Sequence, residues 1–308
     1  MDLRRLTFHA LGTHCEVQYA AVDDTAAARF ERRAVGWVQA FEAKYSRFRD
    51  DSLISRINAA AGVDWVPIDA DAEQIFLLCD TVCRLTQGIM DPTTLPLMRL
   101  WNWKQPPVAM PSPAAIAAAQ TKIGWARVKR EPGRIFLPEA GMCLDLGGFG
   151  KEYAVDQVAG IARDCGLAAA LVDFGHDLRA MGVPPGRPAW HVGLEDPRNP
   201  GKSSGSVALY GDRGIASSGD YIRHFKHDGR RYGHIVDPRS GYPVANGCEQ
   251  STVVSGTCLQ AGVLSTTAFI LGIPAGINYV QNFPQCEALL IGSQGRAQTR
   301  GFFQYVVT

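Results

Sequence analysis

Four separated stretches set small residues beside an acid, a histidine or a lysine: "GIMDPTTLPLMRLW" (88–101), "LDLGGFGKEYAVD" (144–156), "IASSGDYIRHF" (215–225) and "YGHIVDPRSGYPV" (232–244). In the second, Asp145 ends an apolar run, Gly147 and Gly148 follow, and Lys151 comes next, with Glu152 and Asp156 beyond. Two structures account for that order. One is a strand that stops at a polyphosphate, with a helix starting past it. The other is an ordinary β-α turn. Aspartate followed by proline is turn chemistry, so each stretch alone could be a plain turn. Taken together they are non-repetitive loops of polar residues and glycine, where sites usually lie.

Other motifs fail. "NPGKSSG" lacks the glycine five residues before Gly201 that a phosphate loop needs; Asp196 stands there, in a Pro/Gly-rich loop. No G-x-G-x-x-G fingerprint occurs. His224 and His227 form an H-x-x-H in a charged segment, which reads as solvated surface. Cys79 and Cys83 share a helical face and read as two small buried residues rather than a metal pair. No C-x-x-C occurs among the eight cysteines, which fits a reducing compartment.

The elements that must position these stretches follow from periodicity. "THCEVQYA" (13–20) reads as a strand. Phe30, Ala34, Val38, Phe41 and Tyr45 repeat at helical spacing behind Asp23 and Asp24, which can cap that helix. Shorter helical patterns start near Ser52, cover 71–87 up to Gly88, and open at Ser112-Pro113. Residues 151–165 carry Ala154, Val158, Ile161 and Cys165 on one side, with Gly166 as a stop. A late helix over about 257–271 is expected to end at Gly272 before Pro274. "AAALVDF", "AWHVGLE", "SVALY", "STVVS", "EALLIG" and "FFQYVV" read as strands. Helices early and strands late predict an α+β fold, and no linker divides the chain, so one domain over 1–308 is expected.

The 308 residues are 46% hydrophobic and 20% charged, ordinary for a globular protein, with a formal net charge of +1. That balance supplies no global field for nucleic acid or an anionic membrane. No segment approaches the ~20 apolar residues of a membrane span. "MDLRRLTFHALGTHCEV" has no apolar stretch fit for a signal peptide, and Cys15 follows His14 rather than a small residue, so a cytoplasmic location is expected.

In their order and spacing these segments resemble the ApbE family, the FAD:protein FMN transferases. The resemblance runs from about residue 8 to 308 through "ALGTHCEV", "FEAKYSRFRDDSLISRIN", "MDPTTLPLMRLW", "LDLGGFGKEYAVD", "LVDFGHDLRAMG", "IASSGDY", "HIVDPRSGYPV" and "AGVLSTTAFILG". It implies a single ApbE-like α+β domain, with mainly antiparallel sheets packed with helices. It also implies FAD bound with Mg²⁺ on its pyrophosphate, transfer of the FMN half to a Thr or Ser of a target flavoprotein, and release of AMP. Some members instead hydrolyse FAD to FMN and AMP. By position, Leu11, Phe48, Ile89, Met90, Asp91, Asp145, Lys151, Ile235 and Val236 are expected to contact FAD, and Gly148 and Thr266 to hold the metal. His234, Asp237 and Asp220 are the expected catalytic residues. Each also has an ordinary structural role open to it. Asp145 and Asp91 suit turns, Lys151 a solvated first helical turn, Leu11 and Phe48 a core, His234 a buried and satisfied histidine, and Asp220 a loop cap.

The chain departs from the resemblance in its late helix. There the family reads Ala-Asp-x-x-x-Thr, whereas this chain reads Ala261, Gly262 and then Thr266. The hydroxyl is kept and the carboxylate is gone. Mg²⁺ is usually held by one or two carboxylates plus phosphate oxygens and water, so protein-held metal should be weakened. Gly262 costs about 1 kcal/mol in mid-helix relative to alanine, and a close approach by a ligand or another backbone would explain it, as would drift. The family often has glycine where Glu152 stands. Glu152 is either a substitute carboxylate or a water-facing partner of the helix dipole. If the departure disabled a metal site, Gly262→Asp should raise Mg²⁺-dependent activity. Two other readings stay open: an FAD-binding homologue without transferase activity, or an enzyme that hydrolyses FAD or uses a different acceptor.

Overall fold

Cys15, Val17 and Tyr19 alternate with Glu16 and Gln18, and all three are fully buried. That period of two makes β2 (Thr13–Ala20), paired antiparallel to β1 (Leu3–Ala10). Leu11 and Gly12 form the two-residue turn, both at positive φ (55° and 68°), the geometry that joins twisted strands tightly. The computed structural model describes residues 2–307. Its strand pairings are all antiparallel, and with its helices they give the expected α+β class.

Two compact units emerge, each assembled from separated segments. The first takes residues up to 42, 149–221 and 247 onward. Its centre is an eight-stranded sheet in the order β1, β2, β6 (Ala169–Phe174), β7 (Asp177–Met181), β10 (Arg213–Gly219), β15 (Cys248–Ser255), β16 (Glu287–Gly292) and β17 (Gly295–Gln298). The hairpin of β8 (Trp190–Glu195) and β9 (Ser203–Leu209) adds Trp190, Leu194, Val207 and Leu209 to a core with Leu171, Leu178, Ile215, Val254 and Phe302. Helices α1 (Asp24–Tyr45), α6 (Gly150–Asp164), α7 (Cys258–Leu271) and α8 (Ile273–Gln281) belong to this unit. Helix α7 is apolar nearly all round and buried along its length, as a central helix must be.

The second unit takes 43–148 and 222–246. It holds α2 (Leu53–Ala59), α3 (Ala70–Leu85), α4 (Leu95–Leu100) and α5 (Pro113–Gln120). It also holds the sheet of β3 (Val66–Pro67), β4 (Lys129–Glu131) and β5 (Arg134–Phe136) and two short hairpins. These hairpins pair β11 (His224–His227) with β12 (Arg230–Gly233) and β13 (Val236–Asp237) with β14 (Tyr242–Pro243). Leu97, Trp101, Ile116, Ala119 and Phe225 form a core there, with Tyr232 and Val236 against it.

Helix ends follow the expected chemistry. Ser52, Asp69 and Ser112 each accept the amide of the third residue on, and Gly88, Gly166 and Gly272 take positive φ where helices stop. Two expectations fail. "FFQYVV" is not a strand. The Phe302 amide donates to Thr299 O at 3.2 Å and the Gly301 amide to Glu287 Oε2 at 2.9 Å. These bonds turn Phe302–Tyr305 into 3₁₀ helix, leaving only Val306 to bridge Val207. Residues 215–219 are not loop but most of the central strand β10. Their small side chains serve close packing: a Cβ at the strand's own Gly214 would lie 2.2 Å from the Thr257 carbonyl carbon. Gly272-Pro274 does stop α7, but α8 starts at once, because proline is welcome in a helix's first turn.

Candidate functional site

In the first unit the site-bearing residues sit where α6 meets β7 and α7. Lys151 and Glu152 are in the first turn of α6, and Asp177 starts β7. The Lys151 ammonium pairs with Asp177 Oδ2 and donates to Phe174 O at 3.0 Å. It also stands 4.0 Å from Glu152 Oε1. Burial opposes the ammonium's charge, but the Asp177 and Glu152 carboxylates outweigh it and hold Lys151 well above its ordinary value. Lys151 is therefore no solvated lysine. Nor does Glu152 face water, the second of its two readings: it is only 9% exposed. Its Oε2 has no hydrogen-bond partner, and burial, then the charge of Asp177, push its carboxyl up to about 8.

Gly262, on α7, faces this carboxyl. A Cβ placed there would come 2.6 Å from Glu152 Cγ and 3.2 Å from Cδ. The mid-helix glycine thus makes room for a side chain. It also corrects the Gly262→Asp expectation, since an aspartate would collide with Glu152. One turn on, Thr266 Oγ1 lies 2.8 Å from Ser218 Oγ, which also meets Ser265 Oγ at 2.9 Å. Asp220 is buried just past the end of β10. Asp156, the last acid of "LDLGGFGKEYAVD", accepts the Cys258 and Leu259 amides, both at 2.9 Å, and Arg179 Nη1 at 3.0 Å. It caps α7 from α6. Leu11 keeps its strained turn by donating its amide to Glu42 Oε1 at 2.7 Å.

The second unit holds the stretches 88–101 and 232–244 whole and the first part, 144–148, of a third. The Asp145 amide donates to Pro92 O at 2.8 Å, and a Cβ on Gly148 would meet Met90 Cε at 3.2 Å, so 88–93 and 144–148 lie side by side. The Trp101 indole donates to Gly241 O at 2.8 Å, tying 88–101 to 232–244. Ile89 and Met90 are buried. Asp91 is bound within the unit: Oδ1 accepts Thr93 N and Oγ1 at 2.7 and 2.5 Å, and Oδ2 accepts Trp125 N at 2.8 Å. Asp145 accepts Arg47 Nε at 2.9 Å and the Gly147 amide at 2.9 Å. The Arg47 guanidinium also lies 4.0 Å from the ring centroid of Phe48, which is 77% exposed and so no core residue.

His234, Ile235, Val236 and Asp237 run into the β13 hairpin. The His234 ring meets Arg223 O at 3.2 Å through Nδ1. A carbonyl can only accept, so Nδ1 carries the proton and the Nε2 lone pair is left available. Burial, then repulsion from Arg223, lower this ring's pKa to about 4, so it is neutral at pH 7. Asp237 binds Arg239 through both carboxylate oxygens and caps the Arg239 amide at 2.9 Å. Sequence reasoning missed Arg47, Ser218 and the pairing role of Asp177. The last had a signal in "FGHDL", where Gly175 and His176 both take positive φ in a tight hairpin turn.

A family model described as "ApbE family" matches residues 11–290. This chain belongs to the ApbE family. A Treponema pallidum relative named FAD:protein FMN transferase is 30% identical over 269 residues, 82% of this chain and 74% of that protein. A Haemophilus influenzae relative of the same name is 28% identical over 280 residues, 87% and 80% of the two chains. Among solved structures, an ApbE protein from Thermotoga maritima superposes with a TM-score of 0.89 at 27% identity, covering 100% of each chain. The apo form of the Pseudomonas stutzeri flavinyl transferase ApbE gives 0.85 at 26%, covering 98% and 96%. The family fold holds across the chain, although position 262 lacks the carboxylate that the resemblance implies.

Proposed function

We propose that this chain, working as one protein over 1–308, binds FAD and transfers its FMN moiety to a target flavoprotein. Membership of the ApbE family along nearly the whole chain, among relatives named for this reaction, carries the reading. In its finer form the acceptor is a Thr or Ser hydroxyl and AMP leaves. The acceptor oxygen bonds to the FMN phosphorus, the bridging P–O bond breaks toward AMP, and the hydroxyl proton is released.

The chain's part is positioning and charge, which is most of what phosphoryl transfer asks of a protein. Neutral His234 has Nε2 available as the base for the acceptor proton. Lys151 brings a fixed positive charge to the start of α6. Exposed Phe48 offers an aromatic face beside Asp145 and Arg47. Mg²⁺ in this reaction would neutralise charge on the pyrophosphate. Among the described residues no three His, Cys, Asp or Glu side chains cluster to hold a metal by themselves. The orphaned Glu152 Oε2 and the Thr266 hydroxyl fit such an ion when phosphate oxygens complete its shell. Among the described residues no helix is long and apolar enough to cross a membrane.

The test is FAD titration by calorimetry, followed by incubation with FAD, Mg²⁺ and a flavoprotein target. The expected result is covalent FMN on the target with AMP released. Free FMN with AMP would turn the reading to hydrolysis, bound FAD without either product to a binder, and no heat with FAD would end it.

A further inference from the structure

Glu152 fills the space that a side chain at position 262 would need. The glycine clears a mid-helix volume on α7, and the cleared volume receives a carboxyl-bearing side chain from α6. The arrangement is costly, because a buried carboxylate needs a partner. Lys151 is committed to Asp177 and Phe174 O, and two carboxylates share its single positive charge. Glu152 Oε2 itself is buried without a donor, although the Glu152 carboxyl also lies against that of Asp177. Positions 262 and 266 are four apart and share one face of α7, so a group seated at 262 neighbours the Thr266 hydroxyl.

We propose that Glu152 supplies, from α6, the carboxylate for a divalent cation that enters with the FAD pyrophosphate, and that Gly262 is the vacancy that admits it. This rests on the FAD reading above. The carboxylate then comes from α6 rather than α7, to the face of α7 on which Thr266 lies one turn on. A hard cation held by one or two carboxylates and phosphate oxygens needs no three-residue protein cluster. Glycine at 262 and glutamate at 152 then form one coupled feature, and neither works alone.

Mn²⁺ is the probe. It is titrated into full-length protein saturated with FAD, with no acceptor present, and free ion is counted by electron paramagnetic resonance. FAD binding is measured separately by calorimetry without metal, so failure of the FAD reading shows there first and takes this proposal with it. Wild type should bind one Mn²⁺. The near-isosteric Glu152→Gln should keep FAD binding and weaken Mn²⁺ by about tenfold or more. Gly262→Asp alone should lower the melting temperature through its clash. Combining it with Glu152→Gly should restore both the melting temperature and Mn²⁺ binding. Glu152→Gln binding Mn²⁺ as tightly as wild type would overturn the proposal. So would FAD-loaded wild type that binds none, or a double variant no more stable than Gly262→Asp.

Discussion

Asp156→Asn is the sharpest test of how α7 is held in place. The carboxylate accepts two backbone amides of the first turn of α7 and one Arg179 nitrogen, at 2.9, 2.9 and 3.0 Å. Asparagine keeps the shape but has one acceptor oxygen, so its amino group must face a donor. One buried amide losing its partner costs about 1–3 kcal/mol. Breaking a buried ion pair costs about 3–5 kcal/mol, and Arg179 and Asp156 have side chains only 13% and 16% exposed. These costs share one carboxylate and do not add. Removing the acid also relieves its own burial, which raises its pKa. Thr257 still caps Gln260 at 3.1 Å, so the helix end is not stripped. The net expectation is a loss of about 3 kcal/mol, or roughly 4–6 °C in melting temperature for a chain of this length. Urea and thermal unfolding followed by circular dichroism measure it. Asp164→Asn is the control, breaking a pair with Arg33 at 3.4 Å whose side chains are 65% and 46% exposed, and should change stability by less than about 0.5 kcal/mol. An Asp156→Asn protein within about 1 kcal/mol of wild type would refute the capping argument.

Three further outcomes follow from the geometry. His234 has its folded pKa lowered to about 4 from 6.5, so the native state binds fewer protons than the unfolded chain. Its full contribution is present above pH 6.5 and falls away toward pH 4. His234→Gln should shrink the stability gap between pH 7 and pH 4.5 by about 2 kcal/mol, read from urea midpoints; an unchanged gap, or a ring that titrates near 6.5 by NMR, contradicts the burial assigned to it. Gly214→Ala would place a Cβ 2.2 Å from backbone at Thr257, so it should cost about 3 kcal/mol or more, and a soluble variant with wild-type melting temperature rules this out. Thr266→Val should lose about 1 kcal/mol with its bond to Ser218, whereas Thr266→Ser keeps it; equal urea midpoints for the two would count against the hydroxyl chain.

Local chemistry was legible in the sequence wherever the cause lies within a few residues. Ser52 and Ser112 announced helix starts, Gly88, Gly166 and Gly272 announced stops, and alternation announced β2. The resemblance, carried by motif order, pointed to the family. What it could not carry is anything settled by residues far apart along the chain. Small residues at 215–219 looked like turn chemistry, yet neighbouring β7 and β15 and close helix packing make them a central strand. Phe302–Tyr305 had the pattern of a strand until Glu287 and Thr299 pinned it as a turn. The fates of the acids in "LDLGGFGKEYAVD" depended on Arg47, Asp177, Gly262 and Arg179, none of them within the stretch. Sequence by itself determined residue types, helix ends and kinship, because these rest on short-range sterics and hydrogen bonds. Only tertiary structure decided which carboxylate is capped, paired or left without a donor, because burial and charge act through space between distant segments.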